Sequence, residues 1–158
     1  MRLNRRMQVY LDELARREVS ADDHAGVGAV EIQPAGEIFL LKAFLAHPPA
    51  IVVPSFEDRT GLECFANRIR MTDLVGEKLA RGFPLLLLVT GLLVARRIAE
   101  ELLRYPGRFN VIVSFDGDDC TVRFHKIRRG ERWLLDDLEK YDDEGVMVIE
   151  IDRTAKAA

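Results

Sequence analysis

The chain offers little for a membrane. Its apolar run Phe83 to Ala95 is 13 residues long, whereas a spanning helix needs roughly 20, so no membrane association is expected. Cysteine is scarce. Cys64 and Cys120 lie far apart with no CxxC spacing, which excludes a disulfide scaffold and reads as two reduced, buried thiols. No apolar stretch of the secretory type follows the arginine-rich first residues, so a cytoplasmic location is expected.

Histidine is almost as rare, and its three copies are poorly placed for chemistry. His24 beside Asp22 and Asp23 gives a metal ion no fixed geometry, and His47 precedes Pro48-Pro49 in a turn. Gly26-Val27-Gly28 lacks the third glycine and the Lys-Ser/Thr of a phosphate-cradling loop. Asp116-Gly117-Asp118-Asp119 lacks the alternating aspartates and distal glutamate of a calcium loop. No H-E-x-x-H or G-x-S-x-G motif occurs. No catalytic residue, metal or cofactor is expected.

What is present is a sound core and a lopsided charge distribution. The 158 residues are 48% apolar and 31% charged, which suits one soluble domain. The net charge of −3 argues against nucleic-acid binding. Arg123 to Arg132 carries five basic residues and one acid, while Trp133 to Asp152 carries eight acids and one lysine. The sign of the charge reverses abruptly at Trp133.

The central stretch is Pro84 to Phe124. Pro84 suits a first helical turn and leucine favours helix, so Pro84 to Tyr105 reads as one helix. The competing reading makes Leu85 to Val89 a buried strand turning at Thr90-Gly91. Asn110 to Phe115 and Cys120 to His125 alternate in character about Asp116-Gly117, a strong hairpin signal. Val111, Val113 and Phe115 should share a face with Cys120, Val122 and Phe124, while Arg123 and His125 point the other way.

Elsewhere, Leu3 to Arg17 reads as a helix with a narrow stripe of Leu3, Met7, Tyr10, Leu11 and Leu14, which lies on the domain edge or forms a dimer seam. Val19 to Gly28 reads as a loop and Ala29 to Gln33 as a short strand. Glu37 to Ala46 has helical spacing, and Ile51 to Val53 suits a strand. Asp58 to Gly61 reads as a turn, Leu62 to Arg70 as strand or helix, and Asp73 to Arg81 as a helix capped by Thr72. Trp133 to Tyr141 reads as a short helix stacking Leu134, Leu138 and Tyr141, and Val146 to Ile151 as a strand beside the hairpin. The expected whole is a single α+β domain over 1–152, with a mainly antiparallel sheet of about four to six strands. Its central hairpin spans about 109–125 and is packed by helices, the N-terminal helix (1–18) at the periphery; residues 153–158 form a disordered tail.

Two sites follow. The first is an acidic surface of Asp136, Asp137, Glu139, Asp142, Asp143 and Glu144, flanked by Trp133 and Tyr141, suited to a basic protein partner. The second is a pocket of Arg123, His125 and Arg128, with Arg129 and Arg132 nearby, where a histidine among arginines could bind phosphate and move a proton. A nucleophilic Cys64 near Glu57, Asp58, Arg59, Glu63, Asn67 and Arg68 has no histidine close in sequence to activate it.

Two segments, Phe56-Glu57-Asp58-Arg59-Thr60-Gly61-Leu62-Glu63-Cys64-Phe65 and Val122-Arg123-Phe124-His125 continuing to Gly130-Glu131-Arg132-Trp133-Leu134 and Asp137-Leu138-Glu139, resemble bacterial immunity proteins of contact-dependent growth-inhibition systems. These small cytoplasmic proteins bind and neutralise a delivered toxin domain. The resemblance implies a non-catalytic protein whose partner is a toxin domain, often a basic nuclease. The alternatives are a small enzyme or ligand-binding regulator using His125 and its arginines, and a structural subunit assembling through the Leu3 to Leu14 stripe.

Overall fold

In the computed structural model the described residues are 1–19, 27–46 and 56–154. Secondary structure begins with strand β1 (Arg2–Leu3) and helix α1 (Arg5–Arg17). The hairpin β2 (Ile32–Ala35) and β3 (Ile38–Leu41) follows, then α2 (Lys42–Ala46) and α3 (Arg59–Ala66). Next come β4 (Ile69–Arg70), α4 (Met71–Val75), α5 (Glu77–Gly82) and the long α6 (Pro84–Leu102). The C-terminal part supplies β5 (Gly107–Phe115), β6 (Cys120–Lys126) and β7 (Gly145–Arg153). One antiparallel sheet has the order β1-β7-β5-β6-β4, and β2-β3 forms a second, two-stranded sheet. The domain is mixed α+β, as the patterning predicts.

The β5–β6 hairpin has the expected register. Phe115 faces Cys120, Val113 faces Val122 and Val111 faces Phe124, so the period-2 alternation sends all six to one face. They meet Leu87, Leu88, Val94, Ala95, Ile98 and Leu102 of α6 in the main core. Each large side chain buried there contributes about 1.5–3 kcal/mol. Helix α6 is one element with Pro84 at its start, which decides against a Leu85 to Val89 strand. It passes very close to the sheet at Gly91, where a Cβ would lie 2.5 Å from the Cys120 sulfur.

Helix α1 starts at Asn4, whose side chain accepts from the Met7 N–H. It crosses β7 at Gly145, where a Cβ would come within 3.0 Å of Met7 Cα. Met7 is fully buried, and Leu3, Tyr10, Leu11 and Leu14 are partly buried against the core, so the stripe packs on this domain.

Several expectations are corrected. Trp133 to Tyr141 is not a helix: it is an irregular segment with one 3-10 turn at Leu138–Lys140. Leu134, Leu138 and Tyr141 still act together, covering Ile112, Val146 and Val148 on the second face of the sheet. Glu37 to Ala46 is not one helix, because Ile38–Leu41 pairs with β2 across a tight turn at Gly36, whose φ of +66° suits glycine. The expected helix from Asp73 to Arg81 is split at Gly76, and the Thr72 hydroxyl caps neither half; it donates to Asp119. Asp58 to Gly61 is the capped start of α3, with the Gly61 N–H donating to Asp58, and Leu62 continues as helix. The C-terminal strand runs on through Arg153, which donates to the Leu103 carbonyl. The expected Ile51 to Val53 strand, most of the Val19 to Gly28 loop with His24, and His47 lie outside the described residues, as does the tail from residue 155.

Candidate functional site

The sequence cluster around Cys64 is structural. Glu63, with no exposed surface, accepts from the backbone N–H groups of Phe39 and Lys126 at 2.7 and 2.8 Å. Both terminal guanidinium nitrogens of Arg128 donate to the same carboxylate at 2.8 Å. One turn along α3, Asn67 accepts from the Leu41 N–H and donates to the carbonyls of Phe39 and Phe124. Past the two-residue β4, the free edge of β6 thus meets the edge of β3 through two side chains of α3. A helix substitutes for a missing strand. Burial pushes the thiols of Cys64 and Cys120 well above their ordinary range, so neither serves as a nucleophile.

This network separates the expected arginine–histidine pocket. Arg128 is committed to Glu63. Arg123 places its guanidinium 5.7 Å from the Trp133 ring centroid, and burial, with Arg68 nearby, lowers its pKa. Only His125 lines a cavity on the open face of the sheet, together with Asn110, Arg132 and Trp133. Its Nδ1 lies 2.9 Å from the Lys126 carbonyl, and burial lowers its pKa. The residues thus share the open face or its rim without converging on one anion site.

The acidic segment is a different case. Asp136, Asp137, Glu139, Asp142 and Asp143 are exposed, Asp136 with 85% of its side chain accessible. Trp133 is 40% exposed and Tyr141 is half-buried, its hydroxyl accepting from the Leu135 N–H. Glu144 turns partly inward, where burial raises its pKa despite Arg123 and a hydrogen bond from Ser114.

The backbone beneath these carboxylates is held at many points. The Asn4 amide donates to the carbonyls of Tyr141 and Glu144 at 2.9 and 2.8 Å, and its oxygen accepts from the Val146 N–H. Arg2 and Arg6 donate to the carbonyls of Asp136 and Asp142, and Glu139 accepts from the Arg5 N–H at the start of α1. The side chains of Arg2 and Arg6 therefore grip main-chain oxygens, and the Asp137 carboxylate accepts from the Glu139 N–H within the segment. Among the described residues the Asp142 and Asp143 carboxylates make no ion pair, while Asp136 is 3.5 Å from Arg132.

Sequence reasoning missed two parts of this site. Asp116, read only as a turn residue, lies close enough to Glu144 to raise its pKa, because Phe115 pairs with Gly145. The hairpin tip thus extends the acidic surface. Asn4 was also missed, although an asparagine just before an apolar stripe is an N-cap signal. Among the described residues no group of three or more His, Cys, Asp or Glu side chains is placed to hold a metal ion, and no helix is long and apolar enough to cross a membrane. No curated protein and no solved structure matches the chain. A family model does match, over residues 2–158, and the chain belongs to the uncharacterized protein PM0498 family.

Proposed function

We propose that this chain is a non-catalytic cytoplasmic protein that binds a basic protein partner through Asp136 to Glu144, in the manner of an immunity protein neutralising a toxin domain. The observation that carries the reading is the pairing of exposed carboxylates with a fixed backbone. Asp136, Asp137, Asp142 and Asp143 face solvent on a segment stapled by Asn4 and anchored by Leu138. Charges held on a fixed backbone before contact lose little entropy on binding, and a patch of net negative charge steers an oppositely charged partner. Trp133, exposed and braced by Arg123, is the residue type that anchors such an interface. The resemblance of the Phe56–Phe65 and Val122–Glu139 segments to immunity proteins supports the same reading, as do the two free, buried thiols.

The appropriate probe is a basic nuclease toxin domain of the contact-dependent growth-inhibition class. Titrated calorimetrically, it is expected to bind the wild-type chain and to lose at least about tenfold in affinity with Asp136→Asn, Asp137→Asn, Asp142→Asn and Asp143→Asn combined. Equal affinity for the two proteins removes the acidic segment from the account.

A further inference from the structure

The second face of the sheet carries a polar row beside its apolar cover. His125 on β6, Asn110 on β5 and Glu150 on β7 stand side by side in register. Glu150 is taken by Arg108; His125 and Asn110 are not so engaged. Above them the chain from Ile127 to Asp136 arches over and leaves a cavity of about 230 Å³, floored by Ile112 and Val148 and bordered by Trp133, with Arg2 and Arg132 also in its lining.

His125 is only 5% exposed. A carbonyl can only accept, so the Nδ1 facing Lys126 O carries the proton, and Nε2 presents a lone pair. Among the described residues neither Nε2 nor the Asn110 amide has a hydrogen-bond partner. Among the described residues no side-chain nitrogen or oxygen is both fully buried and unpartnered, so these unpartnered atoms keep contact with the open space and stay available to a ligand there. An ion-sized ligand fits poorly. A cation would meet Arg2 and Arg132 in the same lining, with the Asp136 carboxylate 3.5 Å from Arg132 and the Glu131 carboxylate bonded to the Thr60 N–H and hydroxyl. A small anion alone would find Arg2 and Arg132 offset by Asp136 and Glu131 in the same lining, with only a neutral imidazole, an amide and apolar residues on the floor.

We propose that this cavity binds one amino-bearing nucleobase, as part of a free nucleoside or nucleotide. The volume lies below the usual range for larger ligands, about 300–1,000 Å³, and suits one planar ring system. An asparagine amide offers a donor and an acceptor side by side, the pattern it uses to read adenine. The Nε2 lone pair requires a donor, which the exocyclic amine supplies. Trp133 offers an aromatic surface for stacking, and Arg2 and Arg132 supply charge for an attached phosphate.

Trp133 is the chain's one tryptophan, so its fluorescence reports on the cavity directly. Adenosine 5′-monophosphate is expected to change that fluorescence saturably, and adenosine to do so more weakly. Purine riboside, which lacks the amine, should bind at least about tenfold more weakly than adenosine, and inorganic phosphate should leave the signal unchanged. Asn110→Leu, at a half-buried position, should fold and weaken the nucleotide at least about tenfold; His125→Phe should do the same if it folds. No saturable response to the monophosphates of adenosine, cytidine or guanosine overturns the proposal. So does equal binding of adenosine and purine riboside, undiminished binding by the folded Asn110→Leu variant, or a phosphate response equal to the nucleotide's.

Discussion

Glu63 accepts two backbone N–H groups and a bidentate guanidinium while fully enclosed, so its loss leaves several donors unmet. Glu63→Gln keeps the size but removes the charge opposite Arg128. Breaking one side of a buried pair costs about 3–5 kcal/mol, against a typical total of about 5–15 kcal/mol. Urea denaturation of the variant is therefore expected to show a loss in that range, and a loss below about 1 kcal/mol would contradict the reading of α3 as the tie between β3 and β6. Asp119 gives a residue-scale test in pH. Burial alone would raise its pKa, but hydrogen bonds from Thr72 and Arg70 outweigh it and leave the value below the ordinary range. A carboxylate depressed in the folded state contributes stability that is present above its unfolded pKa, near about 4, and is lost as pH falls through the folded value. The urea midpoint of the wild type should fall over that acid window, and that of Asp119→Asn should fall less. Parallel pH profiles would show that the bonds from Arg70 and Thr72 do not stabilise the fold.

At the scale of elements, the segment from Leu134 to Gly145 is held by Asn4 more than by its own conformation. Asn4→Ala removes the cap of α1, worth about 1 kcal/mol, and also frees the carbonyls of Tyr141 and Glu144 and the N–H of Val146. Amide hydrogen exchange at residues 141–146 is expected to quicken by at least about tenfold in the variant, while β5 and β6 keep their protection. Unchanged exchange at 141–146 would mean the segment is fixed by Leu138 and Tyr141 alone. The same segment shows where sequence periodicity stops being informative. Leu134, Leu138 and Tyr141 have helical spacing, yet three anchors on an irregular chain lying over Ile112, Val146 and Val148 produce the same pattern. The β5–β6 hairpin was legible because Asp116-Gly117 and strict alternation agree, and α6 because Pro84 and the leucines agree. Glu37 to Ala46 misled because Ile38 to Leu41 is uniformly apolar and so carries neither period; the turn glycine Gly36 was the usable sign. The Glu63–Arg128 pair joins residues far apart in the chain, and no local pattern announces it. The acidic surface was legible as composition, but its rigidity and its continuation to Asp116 depend on tertiary pairing.

For the whole molecule, a modest net charge of −3 conceals a separation of sign. Asp116, Asp137, Asp142, Asp143 and Glu144 gather where the hairpin tip, the 3-10 turn and the start of β7 meet, while Arg2, Arg5 and Arg6 lie along β1 and α1 against the same segment. A molecule so arranged presents a field to a basic partner before contact, and steering by such a field raises association rates by about 10–10³-fold at low salt. The most direct test of the proposed binding is the association rate constant of a basic nuclease toxin domain, measured by stopped flow across a series of ionic strengths. Wild type should associate fast and slow steeply as salt rises, whereas the variant neutralised at Asp136, Asp137, Asp142 and Asp143 should start at least about tenfold slower and show a nearly flat salt profile. Identical rates and salt slopes for the two proteins would contradict the account.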